Sequence, residues 1–277
     1  MSALFDHPAV GETLFGGECG PPLPSTDREH PVDFDLDGKF GEACGSGLYM
    51  NCAAHAPALL VLLSGVDACA EQAAFWDRWG CELRVDILLV DYPGVGAAIG
   101  PASISAAQAT ARQALTYLIN RPSEEVPGVV ILGRGLGAAL AVDALVHVPS
   151  DRVRGLILET GPADLVNAYG SQIDWAKVPD ADQAKAALRK EFDLRQLLTG
   201  LQVPLLVLHP QQDAAFPLDH GERLAQWGGG KLVILGRGNR DDVPGLNEAE
   251  YRRELHNFLE SYARFEEGGG SARPGKT

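Results

Sequence analysis

The chain of 277 residues has no apolar run approaching the roughly 20 residues of a membrane span, and its opening "MSALFDHPAV" has neither a basic n-region nor an apolar h-region. These absences argue against a spanning helix and a secretory leader, so a cytoplasmic location is expected. Cationic charge is scarce as well: 23 Lys and Arg stand against 37 Asp and Glu, a formal net charge of -14. No basic cluster is available to neutralise a phosphate backbone, which excludes nucleic acid and anionic membranes as expected partners. Cysteine is sparse and odd in number. Cys19, Cys44, Cys52, Cys69 and Cys81 are widely spaced without a CxxC pair, which suits reduced thiols and neither a disulfide framework nor a zinc site. No internal repeat is visible, so a solenoid is not expected.

What is present is the composition of a globular enzyme-sized domain, 45% apolar and 22% charged. Strand-like runs alternate with helical patterns, which argues for an α/β fold, a mostly parallel sheet with helices on both faces. Eight strands are expected, at "PVDFDLDG", "GSGLYMNCA", "ALLVLLSG", "VDILLVDYPG", "GVVILGRG", "VRGLILETG", "PLLVLHPQQD" and "KLVILGRG". The middle ones are continuous apolar runs, as befits strands buried on both faces. Helices are expected at "AEQAAFWDRWG", "SISAAQATARQALTYLINR", "GAALAVDALVHV", "LDHGERLAQW" and "NEAEYRRELHNFLESYARF". Residues 1–30 read as a Gly/Pro-rich arm and 31–265 as the domain, with a lid-like insertion over about 162–202. The last stretch, 266–277, lacks apolar anchors and is expected to be disordered.

One stretch carries two readings. In "VVILGRGLGAAL", Val129 to Leu140, a β-branched run leads through alternating glycines into a helix. Strand, sharp turn and helix frame both a nucleophile elbow, GxSxG, and a dinucleotide-binding GxGxxG/A.

The neighbouring segments favour the first. "LLVDYPGVG", "ILGRGLGAALAVDAL", "GLILETGPAD", "VPLLVLHPQQDAAFP" and "LVILGRGN" follow one another in an order that resembles the alpha/beta-hydrolase superfamily, in particular its small bacterial esterase- and peptidase-like members, over Val32 to Phe265. The resemblance implies an alpha/beta-hydrolase fold and a catalytic triad in the order Ser, acid, His. Matched position by position, the elbow falls on Gly133, Arg134, Gly135, Leu136 and Gly137, so Gly135 stands where the nucleophile belongs. The acid falls on Asp213 and is retained, while Asn239 stands at the histidine position. Glycine has no oxygen to attack a carbonyl, and a carboxamide accepts no proton at neutral pH. The oxyanion hole would be formed by the backbone N–H groups of Val66 and Leu136, with Asp67 placing a carboxylate where negative charge should develop. The expectation is a degenerate triad: a pseudo-hydrolase that binds a small molecule or a protein partner, with no metal and no cofactor.

Two alternatives stay open at this level. A rearranged hydrolase or lyase site would use Asp213 with His209 or Ser64, and a nucleotide-binding module would use Gly133, Gly135 and Ala138 with Glu159 as the acid on the ribose. Asp213 also has a plain role open to it, accepting backbone N–H groups in a tight turn. Arg134 is expected to pair with a nearby carboxylate. His147, His220 and His256 are read as capping or surface residues, and Cys69 as the thiol closest to the oxyanion loop.

Overall fold

The structure, a computed structural model, describes residues 5–16, 20, 23–36, 38–64, 67, 69–213, 216–236, 238 and 243–263. The apolar runs form one sheet of eight strands: β1 (Glu29–Asp35), β2 (Cys44–Met50), β3 (Ala58–Leu62), β4 (Asp86–Asp91), β5 (Val129–Arg134), β6 (Val153–Glu159), β7 (Leu205–Pro210) and β8 (Lys231–Leu235). Their order is β1-β2-β4-β3-β5-β6-β7-β8. β2 runs antiparallel to both its neighbours, and all other pairs are parallel, so the expected mostly parallel α/β sheet is present.

The helices are α1 (Pro8–Phe15), α2 (Cys69–Leu83), α3 (Ile104–Ile119), α4 (Gly137–His147), α5 (Leu165–Tyr169), α6 (Ala181–Glu191), α7 (Leu194–Gly200), α8 (Asp219–Gly228), α9 (Val243–Leu246) and α10 (Glu248–Tyr262). β3, β4, β5 and β7 are buried at every position because helices cover both faces of the sheet. Side-chain alternation sends Leu60, Leu62, Leu88 and Val90 into the core shared with α3, α4 and α8. It sends Leu59, Val61, Ile87 and Leu89 into the core shared with α2 and α10. In α10 the buried apolar residues Tyr251, Leu255, Phe258 and Leu259 fall on one helical face, most of the other positions being polar or charged.

Within the segment read as an arm, α1 is part of the core. His7 caps it, its Nδ1 accepting from the Ala9 N–H at 3.2 Å, and Pro8 opens it. Val10, Leu14 and Phe15 are buried, and Phe15 meets Tyr92 edge-on at 5.5 Å. Gly11 permits this approach: a Cβ there would stand 2.2 Å from the Ala102 carbonyl oxygen. Asp6, just upstream, accepts the Ser105 N–H at 2.9 Å and helps cap α3. The Gly/Pro-rich composition that suggested an arm begins only after this helix.

The 162–202 insertion contains α5, a 3-10 turn at Trp175–Lys177, α6 and α7. The 266–277 stretch lies outside the described residues. Among the described residues no helix is long and apolar enough to cross a membrane.

Candidate functional site

Five parallel strands deliver the relevant residues to one crest at their carboxyl ends: Ser64 after β3, Asp91 at β4, Arg134 and Gly135 at β5, Glu159 and Thr160 at β6, and His209 to Asp213 at β7. The turn from β5 to α4 is tight and held at each step. Gly135 has φ +55°, its N–H donates to the Glu159 carbonyl at 2.9 Å, and its own carbonyl accepts from Ala138 at 3.1 Å as α4 begins. The flanking glycines have a different reason to be there. A Cβ on Gly133 would stand 2.4 Å from the Gly137 carbonyl oxygen, and one on Gly137 would stand 2.0 Å from that of Leu62. Gly133 and Gly137 let the helix press onto the strands, and Gly135 supplies the left-handed step without a Cβ penalty.

Beneath the turn lies a buried polar cluster. Arg134 pairs with Glu159 through Nε to Oε1 at 2.8 Å, and the Tyr251 hydroxyl donates to Glu159 Oε2 at 2.5 Å. The Arg134 guanidinium also lies over the Trp76 ring, 5.6 Å from its centroid. Burial alone would lower the Arg134 pKa, but Glu159 and Tyr251, with a contribution from Asp67, hold it above its ordinary value. The guanidinium is therefore a permanent cation, and the Asp67 carboxylate is close enough to feel it. Arg134 thus has the carboxylate partner the sequence led one to expect. Glu159, fully buried, has both oxygens committed to Arg134 and Tyr251. It is not available to a ribose hydroxyl, which removes the acidic residue on which the nucleotide-binding alternative relied.

The β7 end is organised around the backbone of Phe216. Asp213, buried, accepts the Phe216 N–H on Oδ1 at 2.8 Å, and His209 donates Nε2–H to the Phe216 carbonyl at 2.8 Å. A carbonyl only accepts, so His209 carries its proton on Nε2 and presents a bare lone pair at Nδ1. That Nδ1 is buried and has no partner among the described residues, and neither has the hydroxyl of Thr160. Burial lowers the His209 pKa and keeps the ring neutral. No hydrogen bond joins Ser64 to His209 among the described residues, and the His209 ring is pinned by its Phe216 bond and by Gly221, whose Cβ would stand 2.8 Å away. The arrangement of Asp213 is that of a turn-stabilising carboxylate.

The 162–202 insertion, expected to act as a lid, is seated on this loop. Tyr169 of α5 meets Phe216 edge-on at 5.4 Å, and the His220 Nδ1 accepts the Ala163 N–H at 2.8 Å. His220 was expected at the surface or as a cap; it is buried and ties the first residues of the lid to α8. Burial, and then the charge of Arg223, lower its pKa. A second tie runs through Gln108, which donates to Asp143 at 3.0 Å and to Glu191 of α6 at 2.9 Å. His147 and His256 are about half exposed on their helices.

On the other flank Asp91 accepts the Cys69 N–H at 2.7 Å and the Ala97 N–H at 3.0 Å. Burial and the neighbouring Asp91 push the Cys69 thiol well above its usual pKa, which disfavours the thiolate form a nucleophile needs. Val66 of the proposed oxyanion hole and Asn239 at the histidine position lie outside the described residues, while Leu136, buried, opens α4.

No family model matches the chain. It is 31% identical over 142 residues to protein bem46 of Schizosaccharomyces pombe, a match covering 49% of this chain and 47% of the relative, so about half the length of each is compared. Among solved structures, the esterase Pf2001 of Pyrococcus furiosus aligns with a TM-score of 0.66 at 14% identity, over 90% of this chain and 99% of that one. Est1E from Butyrivibrio proteoclasticus, solved with ferulic acid, aligns with a TM-score of 0.65 at 15% identity, over 81% of this chain and 98% of that one. An acylaminoacyl peptidase aligns with a TM-score of 0.62 at 17% identity, over 88% of this chain and 43% of that one.

Proposed function

We propose that this chain, which has the alpha/beta-hydrolase fold, is a non-catalytic member of that architecture whose crest binds a ligand or a partner without hydrolysing it. The observation that carries the reading is Gly135. The turn keeps the close strand-to-helix packing and the positive φ of a nucleophile elbow, yet it presents no side-chain oxygen. Asn239 at the histidine position agrees with it, since a carboxamide takes up no proton from an attacking hydroxyl or water. Asp213 is occupied with the backbone of Phe216, a role that needs no histidine.

A small polar molecule suits this crest. The Thr160 hydroxyl and the His209 Nδ1 offer a donor and an acceptor at adjacent strand ends beside the lid, where unmet buried groups favour whatever satisfies them. The test is treatment of the purified protein with a serine-reactive fluorophosphonate, read by intact mass. No stoichiometric adduct is expected, whereas labelling of one serine in step with loss of an esterase activity would overturn the reading.

A further inference from the structure

The fold regroups two cysteines that sequence spacing kept apart. Cys52 follows β2 and is half-buried, and Cys81 lies on the last turns of α2. Asp77 sits four residues before Cys81 on the same helical face. The two sulfurs and a carboxylate oxygen of Asp77 all lie within 4.8 Å of one another. Gly80 makes the approach possible: a Cβ there would stand 2.6 Å from the Cys52 sulfur, so that sulfur rests directly on the helix backbone. Arg28 closes the group from outside, donating to Cys81 Sγ at 3.2 Å and to Asp77 Oδ2 at 3.0 Å from a side chain that is 53% exposed. The second carboxylate oxygen, Asp77 Oδ1, is buried without a hydrogen-bond partner among the described residues.

From this geometry we infer that Cys52, Asp77 and Cys81 form a binding site for a soft divalent cation of the zinc class. Two sulfurs with one carboxylate oxygen are donors that suit zinc and its analogues; calcium and magnesium demand oxygen throughout. A zinc–sulfur bond of about 2.3 Å implies ligand spacings of ~3.8 Å around a tetrahedron, so the group has only about 1 Å to contract. Three protein ligands leave the fourth position to water or an added ligand. The exchange balances in charge, with two thiol protons released to solvent as one divalent cation enters. The orphaned Asp77 Oδ1 gains its partner, and Arg28, half exposed at the surface, turns out to solvent. The site lies at the opposite end of the sheet from Gly135, where Met50 of β2 pairs with Ile87 near the start of β4. A cation there clamps the end of α2 to the base of the sheet, while the start of the same helix is held at the crest by Asp91.

The test is titration of the reduced, metal-free full chain with Co2+, followed by displacement with Zn2+. A sulfur-to-cobalt charge-transfer band in the near ultraviolet should saturate at one equivalent and vanish on zinc addition. Cys81→Ser should abolish it, Asp77→Asn should weaken binding, and Arg28→Met should tighten it by removing the competing cation. Cys44→Ser should leave it unchanged. Cys81 and Arg28 are exposed, so these two variants keep the test decisive if Cys52→Ser fails to fold. No band in the reduced protein, or a band that survives Cys81→Ser, overturns the inference. So does a Cys52–Cys81 disulfide on mild oxidation in a chain whose reduced form binds no cobalt, which would make the pair a redox couple.

Discussion

At the residue scale the molecule turns on what a single Cβ does to a backbone. Gly135 is held at φ +55° by the bonds from its N–H to Glu159 and from Ala138 to its carbonyl, so a replacement inherits that conformation. An L residue in the left-handed region costs about 1–2 kcal/mol. Gly135→Ser should therefore lower the melting temperature by roughly 2–4 °C per kcal/mol lost, and it should create no esterase, because nothing at position 239 removes the hydroxyl proton. Melting curves and ester hydrolysis on the one variant check both halves; a stable and active Gly135→Ser would refute them. The strand, turn and helix around Gly135 were legible in the sequence, since they are local. The cluster under it was only half legible. Arg134 and Glu159 end neighbouring strands in register, but Tyr251, which completes the cluster, stands 92 residues from Glu159 and has no local signature.

At the scale of elements, the lid and α1 are held by different forces and respond to different perturbations. His220 and His209 stay neutral through burial, with pKa values below the ordinary 6.5. The folded chain therefore binds protons less readily than the unfolded one. The stability these groups contribute is full above the unfolded pKa and is lost as pH falls below about 6.5. Denaturation midpoints should fall between about pH 7 and about pH 5, and His220→Gln should shrink that drop; an unchanged profile in the variant would count against the tie between the lid and α8. The helix α1 is an apolar contact. Phe15, 1% exposed and packed on Tyr92, should cost about 3–5 kcal/mol on replacement by alanine, measured by chemical denaturation. A change under 1 kcal/mol would show α1 to be a detachable appendage. The eight strands and the helices α2, α3, α4, α8 and α10 were readable from apolar runs and helical spacing, whereas α6 was read only as part of an insertion. α1 was not, because "PAVGETLF" is short and its burial depends on the distant Ala102. The lid could be marked as an insertion, but its seating through Tyr169, Phe216 and His220 is a tertiary fact.

At the scale of the whole molecule, the sheet order and both covered faces belong to the alpha/beta-hydrolase architecture. The scaffold is built to close tolerances, with glycines where backbones touch, and on the proposed reading Gly135 and Asn239 stand where an attacking oxygen and a base would be. Charge supports a restricted choice of partner. A net charge of -14 repels polyanions, which agrees with the small polar molecule or protein proposed for the crest. The central claim, that the crest binds without hydrolysing, is tested most directly by measuring turnover of a short-chain p-nitrophenyl ester by the wild-type protein beside Asp213→Asn. The account predicts release of p-nitrophenol at the buffer rate in both; saturable wild-type turnover that Asp213→Asn abolishes would contradict it.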